Sequence, residues 1–171
     1  MSVVEVDAAA RRLRFADLDA DLDMPCVIGR GGPCAADAKR EGDGCTPIGC
    51  WPIRAVLLRP GRVAPPPLAL PWRWTRPDDG WSDDPADSAY NRPVRLPRAR
   101  STESLQRVDA LYDIIVVLGH NDAPPVPGAG SAIFFHLWTD AQATEGCVAV
   151  AREDMLRILP LLRPGDAMRI G

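Results

Sequence analysis

Two residues in the stretch IFFHLWTDAQATEGCVAV, residues 133 to 150, carry the chemistry needed to break an amide bond. His136 closes an apolar run, and Cys147 follows a glycine eleven positions later. A cysteine attacks as its thiolate, and a free thiol titrates near 8.5. A neighbouring imidazole can take that proton and leave a thiolate–imidazolium pair. The oxyanion that follows needs fixed N–H donors, each worth about 3 kcal/mol. Gly146 has no Cβ and lets a carbonyl approach the backbone, so the N–H groups around Gly146 and Cys147 are natural donors. The structural alternative is simple burial, since cysteine and histidine both occur in cores. Spacing predicts a hairpin-like return that lays the two side chains together.

The remaining reactive residues are less pointed. His120, in LGHNDAPPVPGAG, competes as a base, but a turn or a substrate contact suits it better. Cys26, Cys34, Cys45 and Cys50 are spaced x7, x10 and x4, and only the last pair comes near a zinc knuckle. No metal is expected there. Without a visible export signal, free thiols are the default; with export, disulfides among the four follow, in a pairing that spacing leaves open. Asp78, Asp79, Asp83, Asp84 and Asp87 lack the spacing of an EF-hand loop and read as solvated turns. Lys39 is the only lysine among 20 cationic residues, which reads as compositional bias rather than a site.

Short β-like runs must position these groups. SVVEV and RRLRFA form an opening hairpin, MPCVIGR and TPIGCWPIRAVLLRP follow, and DAMRIG closes the chain. LYDIIVVLG and GSAIFFHLW are the clearest strands, rich in β-branched and aromatic residues between Gly and Pro. Two helices are predicted. STESLQRV is short. REDMLRILPLL places Met155, Ile158, Leu159 and Leu162 on one apolar face, with acidic Glu153 and Asp154 in its first turn and Pro160 ending it. Residues 60–97 hold half of the chain's 18 prolines together with Trp72, Trp74, Trp81 and Tyr90. Proline starves a sheet of donors, so this reads as a long irregular insertion, ordered by its rings and a candidate lid.

The 171 residues suffice for a single domain spanning 1–171. Hydrophobic content of 46% and charged content of 25% are ordinary for a globular protein. A net charge of −3 argues against nucleic acid as a partner. No segment has the roughly 18 apolar residues of a bilayer span, and the opening MSVVEVDAAARRLRFADLD does not read as a signal peptide.

HLWTDAQATEGCVAV resembles the active-site segment of the L,D-transpeptidase catalytic domain, the YkuD-like family. The matching positions are His136, Thr144, Gly146, Cys147 and Val148. Upstream, GDGCTPIGCWPI is similar to the family's Thr-Pro-x-Gly strand start, through Thr46, Pro47, Gly49, Trp51 and Ile53. The resemblance runs from about Cys26 to the C-terminus, and the long insertion looks like that of one bacterial branch. It implies a mainly β fold, a sandwich of mixed sheets with one or two short helices. It also implies Cys147 as nucleophile, His136 as base and acid, and the Gly146 backbone as oxyanion donor. Candidate substrate contacts are His120, Thr144, Trp138, Trp81 and Tyr90. The implied partners are peptidoglycan stem peptides, with carbapenems as covalent inhibitors and no cofactor; the implied location is the periplasm or cell envelope, while the lack of a visible signal peptide leaves a cytoplasmic one open. Two positions depart from the family: Glu145 replaces a second histidine of the signature, and Ala149 stands where an arginine is usual. The arginine's forked donor is therefore missing beside the nucleophile.

Overall fold

The computed structural model describes residues 1–17 and 20–171. Three strands open the chain: β1 (Val3–Asp7), β2 (Arg12–Asp17) and β3 (Ala20–Pro25), paired antiparallel in sequence order. A parallel pair of two-residue strands follows, β4 (Pro33–Cys34) and β5 (Thr46–Pro47), then the long β6 (Gly49–Leu58). The insertion contributes β7 (Trp72–Trp74), β8 (Asp79–Ser82) and β9 (Pro93–Arg95), and β10 (Thr102–Ser104) lies just beyond it. The chain ends with β11 (Ile114–Leu118), β12 (Phe134–Leu137), β13 (Val148–Val150), helix α1 (Arg152–Ile158) and β14 (Ala167–Ile170).

The main sheet runs β13-β12-β11-β6-β14-β1-β2-β3, with β7 also paired to β6. It is mixed: β1–β14, β6–β7 and β12–β13 are parallel and the other pairs antiparallel. Its two ends meet. Just past β3, Val27 exchanges two 2.9 Å backbone hydrogen bonds with Ala149 of β13. This single bridge ties the two ends of the sheet together at one point. Alternation then sends Val4, Leu13, Val56, Val116, Phe135, Leu137 and Val150 into one apolar interior. Met155, Ile158, Leu159 and Leu162 of the helical segment plug it, and the α-helix ends before Pro160, as its missing N–H requires. Each such large side chain contributes about 1.5–3 kcal/mol of burial.

The mainly β architecture, with mixed sheets and one short α-helix, matches the expectation. Three local expectations need correction. STESLQRV is not a helix: β10 occupies Thr102–Ser104 and pairs antiparallel with β8, because its partner strand supplies the ladder. Residues 60–97 are not free of sheet. They extend β6 through β7 and form, with β10, a three-stranded sheet in the order β10-β8-β9, whose prolines sit at strand starts and in turns. The aspartates there are not all solvated. Asp79 and Asp87 are buried: Asp79 binds Arg73 and Arg95, and Asp87 binds Ser82 and Arg98.

Candidate active site

β12 has two faces. Phe135 and Leu137 enter the core, so Phe134 and His136 must point outward. Over that outer face lies a second cluster, in which Leu105, Tyr112 and the half-buried Trp81 cover Phe134 and Cys147. Cys147 reaches it by a route other than the expected hairpin. β12 and β13 are parallel, joined by a ten-residue crossover from Trp138 to Cys147. The register sets Phe135 beside Val148 and His136 beside Ala149. One step earlier, Cys147 falls level with Phe134, on the same face as His136. Both residues line one cleft of about 520 Å³.

The thiol is held by backbone. Sγ accepts from the Phe134 N–H at 3.3 Å and donates to the Ala132 carbonyl at 3.2 Å. Ala132 has φ of 52°, a left-handed conformation that costs a non-glycine residue about 1 kcal/mol or more. Asn91 of the insertion fixes it: Asn91 Oδ1 accepts from the Ala132 N–H and from Trp81 Nε1, and Nδ2 donates to the carbonyls of His120 and Asn121. Burial pushes the Cys147 thiol up to about 12, with the Glu103 carboxylate adding to it and the Phe134 N–H and Lys39 opposing.

His136 is only 4% exposed. Burial pulls its imidazole down to about 4, against the carbonyl of Leu137, which favours the charged ring. Nδ1 lies 2.7 Å from that carbonyl. A carbonyl only accepts, so Nδ1 carries the proton and Nε2 keeps the lone pair of a base. Tyr112 meets the ring edge-on at 5.1 Å. Among the described residues the imidazole and thiol share no hydrogen bond, and desolvation disfavours the charged form of each.

Gly146 has φ of 137°, and a Cβ there would lie 2.9 Å from the Cys45 carbonyl oxygen. Only glycine fits this turn. The two sequence motifs meet at it. Thr46 Oγ1 donates to the Gly146 carbonyl at 2.8 Å while accepting from the Gly29 N–H. Thr144 Oγ1 accepts from the Gly146 N–H at 3.1 Å and donates to the Cys147 carbonyl at 2.7 Å. The Gly146 N–H is thus occupied, while among the described residues the Cys147 N–H has no partner. Of the two candidate donors, Gly146 and Cys147, only the Cys147 N–H is left open. Beside this turn Cys34 and Cys45 form a disulfide, so the default of free thiols holds only for Cys26, Cys50 and Cys147.

The expected substrate contacts divide. Thr144 and Trp138 line the cleft. His120 does not: it is buried edge-on against Trp51, its Nδ1 unpartnered, and burial pulls it down to about 4. Tyr90 is buried with its hydroxyl on Glu41, and Trp81 packs edge-on against Phe134 behind the cleft. The aromatic that faces His136 is Tyr112, whose hydroxyl donates to Glu103 and whose ring lies under Arg107. Sequence reasoning missed these three and Ser131, since nothing in their spacing marks them. It also set aside Lys39, whose rarity was the available signal. Glu145 is exposed and paired with Arg30, which offsets its charge at the cleft mouth. Ala149 lines the cleft as a small wall where the arginine would project.

The profile of the L,D-transpeptidase catalytic domain (YkuD) matches residues 1–170. Among solved structures, Bd1075 of Bdellovibrio bacteriovorus aligns with a TM-score of 0.51 at 15% identity, over 99% of this chain and 47% of that one. The helical cell shape determining protein Pgp2 of Campylobacter jejuni aligns with 0.51 at 13% identity, over 99% and 46%. L,D-transpeptidase 3 of Mycobacterium tuberculosis aligns with 0.50 at 12% identity, over 99% and 60%. The chain thus spans roughly half the length of these proteins, and at such identities the likeness is one of fold. A sequence comparison with curated proteins gives no match.

Proposed function

The chain belongs to the L,D-transpeptidase catalytic domain family, and from that premise we propose that it is a cysteine acyltransferase acting on peptidoglycan stem peptides. The observation that carries this reading is the placement of a buried thiol and a tautomer-fixed imidazole on one cleft wall. Cys147 Sγ attacks the carbonyl of the third stem residue, a diamino acid, and its proton passes to His136 Nε2. The S–C bond forms, the C–N bond to the terminal D-alanine breaks, and the imidazolium returns its proton to the leaving amine. The Cys147 N–H supports the oxyanion. The amine of a second stem then attacks the thioester, giving a 3→3 cross-link and freeing the thiol. Water in its place gives a carboxypeptidase or endopeptidase. Because burial disfavours both charges, the thiolate forms as its proton moves to the imidazole. No metal or organic cofactor enters these steps.

The Cys34–Cys45 disulfide supports a periplasmic or cell-envelope location, since such bonds persist in oxidising compartments. No described helix is long and apolar enough to cross a membrane. As a lid, the 60–97 insertion would act on the cleft through Asp83, with Trp81 and Asn91 fastening it to the sheet.

The test is intact-protein mass after exposure to stem tetrapeptide, and separately to a carbapenem. An adduct on wild type that Cys147→Ala lacks is expected. Muropeptide analysis then separates cross-linked dimers from trimmed monomers. The missing arginine at position 149 favours one second reading, a silent stem-binding domain, which persistent absence of any adduct would select.

A further inference from the structure

The nucleophile's turn rests on a support that the main sheet does not supply. β4 and β5 pair in parallel over two residues each and form a separate two-stranded sheet. A pair that short has little stability of its own. The Cys34–Cys45 disulfide joins its two strands, one cysteine ending β4 and the other directly preceding β5. Thr46, the first residue of β5, donates its hydroxyl to the Gly146 carbonyl at 2.8 Å, and its N–H donates to the Gly32 carbonyl just before β4.

The support touches the turn backbone to backbone. A Cβ on Gly29 would lie 2.1 Å from the Gly44 carbonyl oxygen and 2.9 Å from the Gly146 Cα, and one on Gly146 would meet the Cys45 carbonyl oxygen. Packing this close transmits a shift rather than absorbing it. A displacement of Cys45 therefore moves Gly146, and Cys147 is the next residue. The same disulfide closes the loop 35–44, whose Lys39, Glu41 and Gly42 line the cleft. Asp43 ties that loop to the bond: Oδ1 accepts from the Lys39 ammonium and from the Cys45 N–H at 3.0 Å, and Oδ2 lies 3.2 Å from Cys45 Sγ. The two sulfurs differ in access. Cys45 is 7% exposed, whereas Cys34 is half-buried, so a reductant reaches the bond at Cys34. Exposed disulfides are the labile and regulatory ones.

We infer that the Cys34–Cys45 bond is a redox switch for the nucleophile: closed, it holds the Gly146–Cys147 turn in its working shape, and opened, it lets that turn and the 35–44 loop loosen while the main sheet stays folded. The chemistry is thiol–disulfide exchange. One thiolate of a dithiol reductant attacks Cys34 Sγ, the S–S bond breaks, and Cys45 leaves and takes a proton. The second thiol of the reductant then resolves the mixed disulfide. Two electrons and two protons pass to the cysteine pair, and the reductant becomes a disulfide. A disulfide oxidant reverses the step. The coupling stands on the packing alone, while its effect on activity rests on the acyl-transfer reading above. On that reading, the chain gains its reactivity where it gains the bond, in an oxidising compartment.

The test compares oxidised wild type, wild type reduced with dithiothreitol and desalted without air, and the Cys34→Ser, Cys45→Ser double variant. Amide hydrogen exchange reads the coupling without chemistry at Cys147. Exchange over residues 144–148 should rise at least about tenfold in both disulfide-free proteins, with β2 and β11 unchanged. Acylation of Cys147 by a carbapenem, followed by intact mass, should slow about fivefold, and reoxidation of the reduced wild type should restore it. Unchanged exchange at 144–148 would overturn the switch, and so would an adduct that forms at one rate in all three proteins. Exchange that rises throughout the chain, β11 included, would overturn it too, because the bond is then a general staple. Should the double variant not fold, the reduced wild type still decides. An absence of adduct on every form, with exchange rising only at the turn, keeps the coupling and removes the acyl-transfer reading instead.

Discussion

The two faces of β12 are equally dry, and they are built in opposite ways. Inward, Phe135 and Leu137 meet only hydrocarbon, supplied by the sheet's own alternation and by α1. Outward, Phe134 and His136 are covered by an irregular roof in which Glu103, Tyr112, Asn91 and Ala132 bring polar groups down onto the thiol. Burial alone therefore does not mark the site. What distinguishes the cleft face is burial together with unspent hydrogen-bonding capacity: one lone pair on His136 and one N–H on Cys147. The inner face spends everything on stability, whereas the outer face holds polar groups in reserve.

Substitutions on the two faces should separate cleanly, beginning with the largest effect. Cys147→Ala should abolish adduct formation, and His136→Ala should slow acylation by stem peptide at least about a thousandfold, at the upper range of general-base effects. Intact-mass kinetics would check both, and an acylation rate within tenfold of wild type in His136→Ala would break the distinction. Next, iodoacetamide at neutral pH should modify the exposed Cys50 first. Cys147, pushed up to about 12, should react roughly a thousandfold more slowly, its rate rising about tenfold per pH unit as the thiolate fraction grows. Peptide mapping of partially alkylated protein would show it.

On the inner face, Phe135→Ala should cost about 3–5 kcal/mol in denaturant titration. Thr46→Val lies between the two faces. It removes the donor to the Gly146 carbonyl, so about 1–2 kcal/mol of stability and about tenfold in acylation rate should go together. A further effect is in pH. His120 and His136 both sit near 4 when folded and 6.5 when unfolded. The unfolded chain therefore binds more protons between those values. The stability present above 6.5 should fall as pH drops towards 4 and level off below it, and melting temperatures across that window would test this. His120→Phe should flatten the curve without touching the thiol.

Much of the inner face was legible in the sequence. The apolar runs before Leu118 and Leu137 are strands, and the stripe of Met155, Ile158, Leu159 and Leu162 is a helix face, because local periodicity alone decides such elements. The thiol and imidazole were legible through the Gly146–Cys147 signature. The roof was not. β8, β9 and β10 are three or four residues each and depend on one another for their ladders, so no single segment announces itself. Asn91 does its work by bonds to residues 30 and 41 positions away. The parallel pairing of β12 with β13 was also hidden, since residue spacing fits a hairpin or a crossover equally well. Lys39 shows a different failure: its rarity was visible, but only the fold reveals that it is buried in the lining of the same cleft as Cys147.

The seam at which Val27 meets Ala149 has a consequence for how the protein comes alive. Cys147 directly precedes β13, which bonds through Ala149 to Val27 among the first thirty residues. Long loops must close before that seam forms, and closures of this kind come late in folding. The cleft around Cys147 and His136 should then appear only with complete assembly, so that half-made chains carry the thiol without its surroundings.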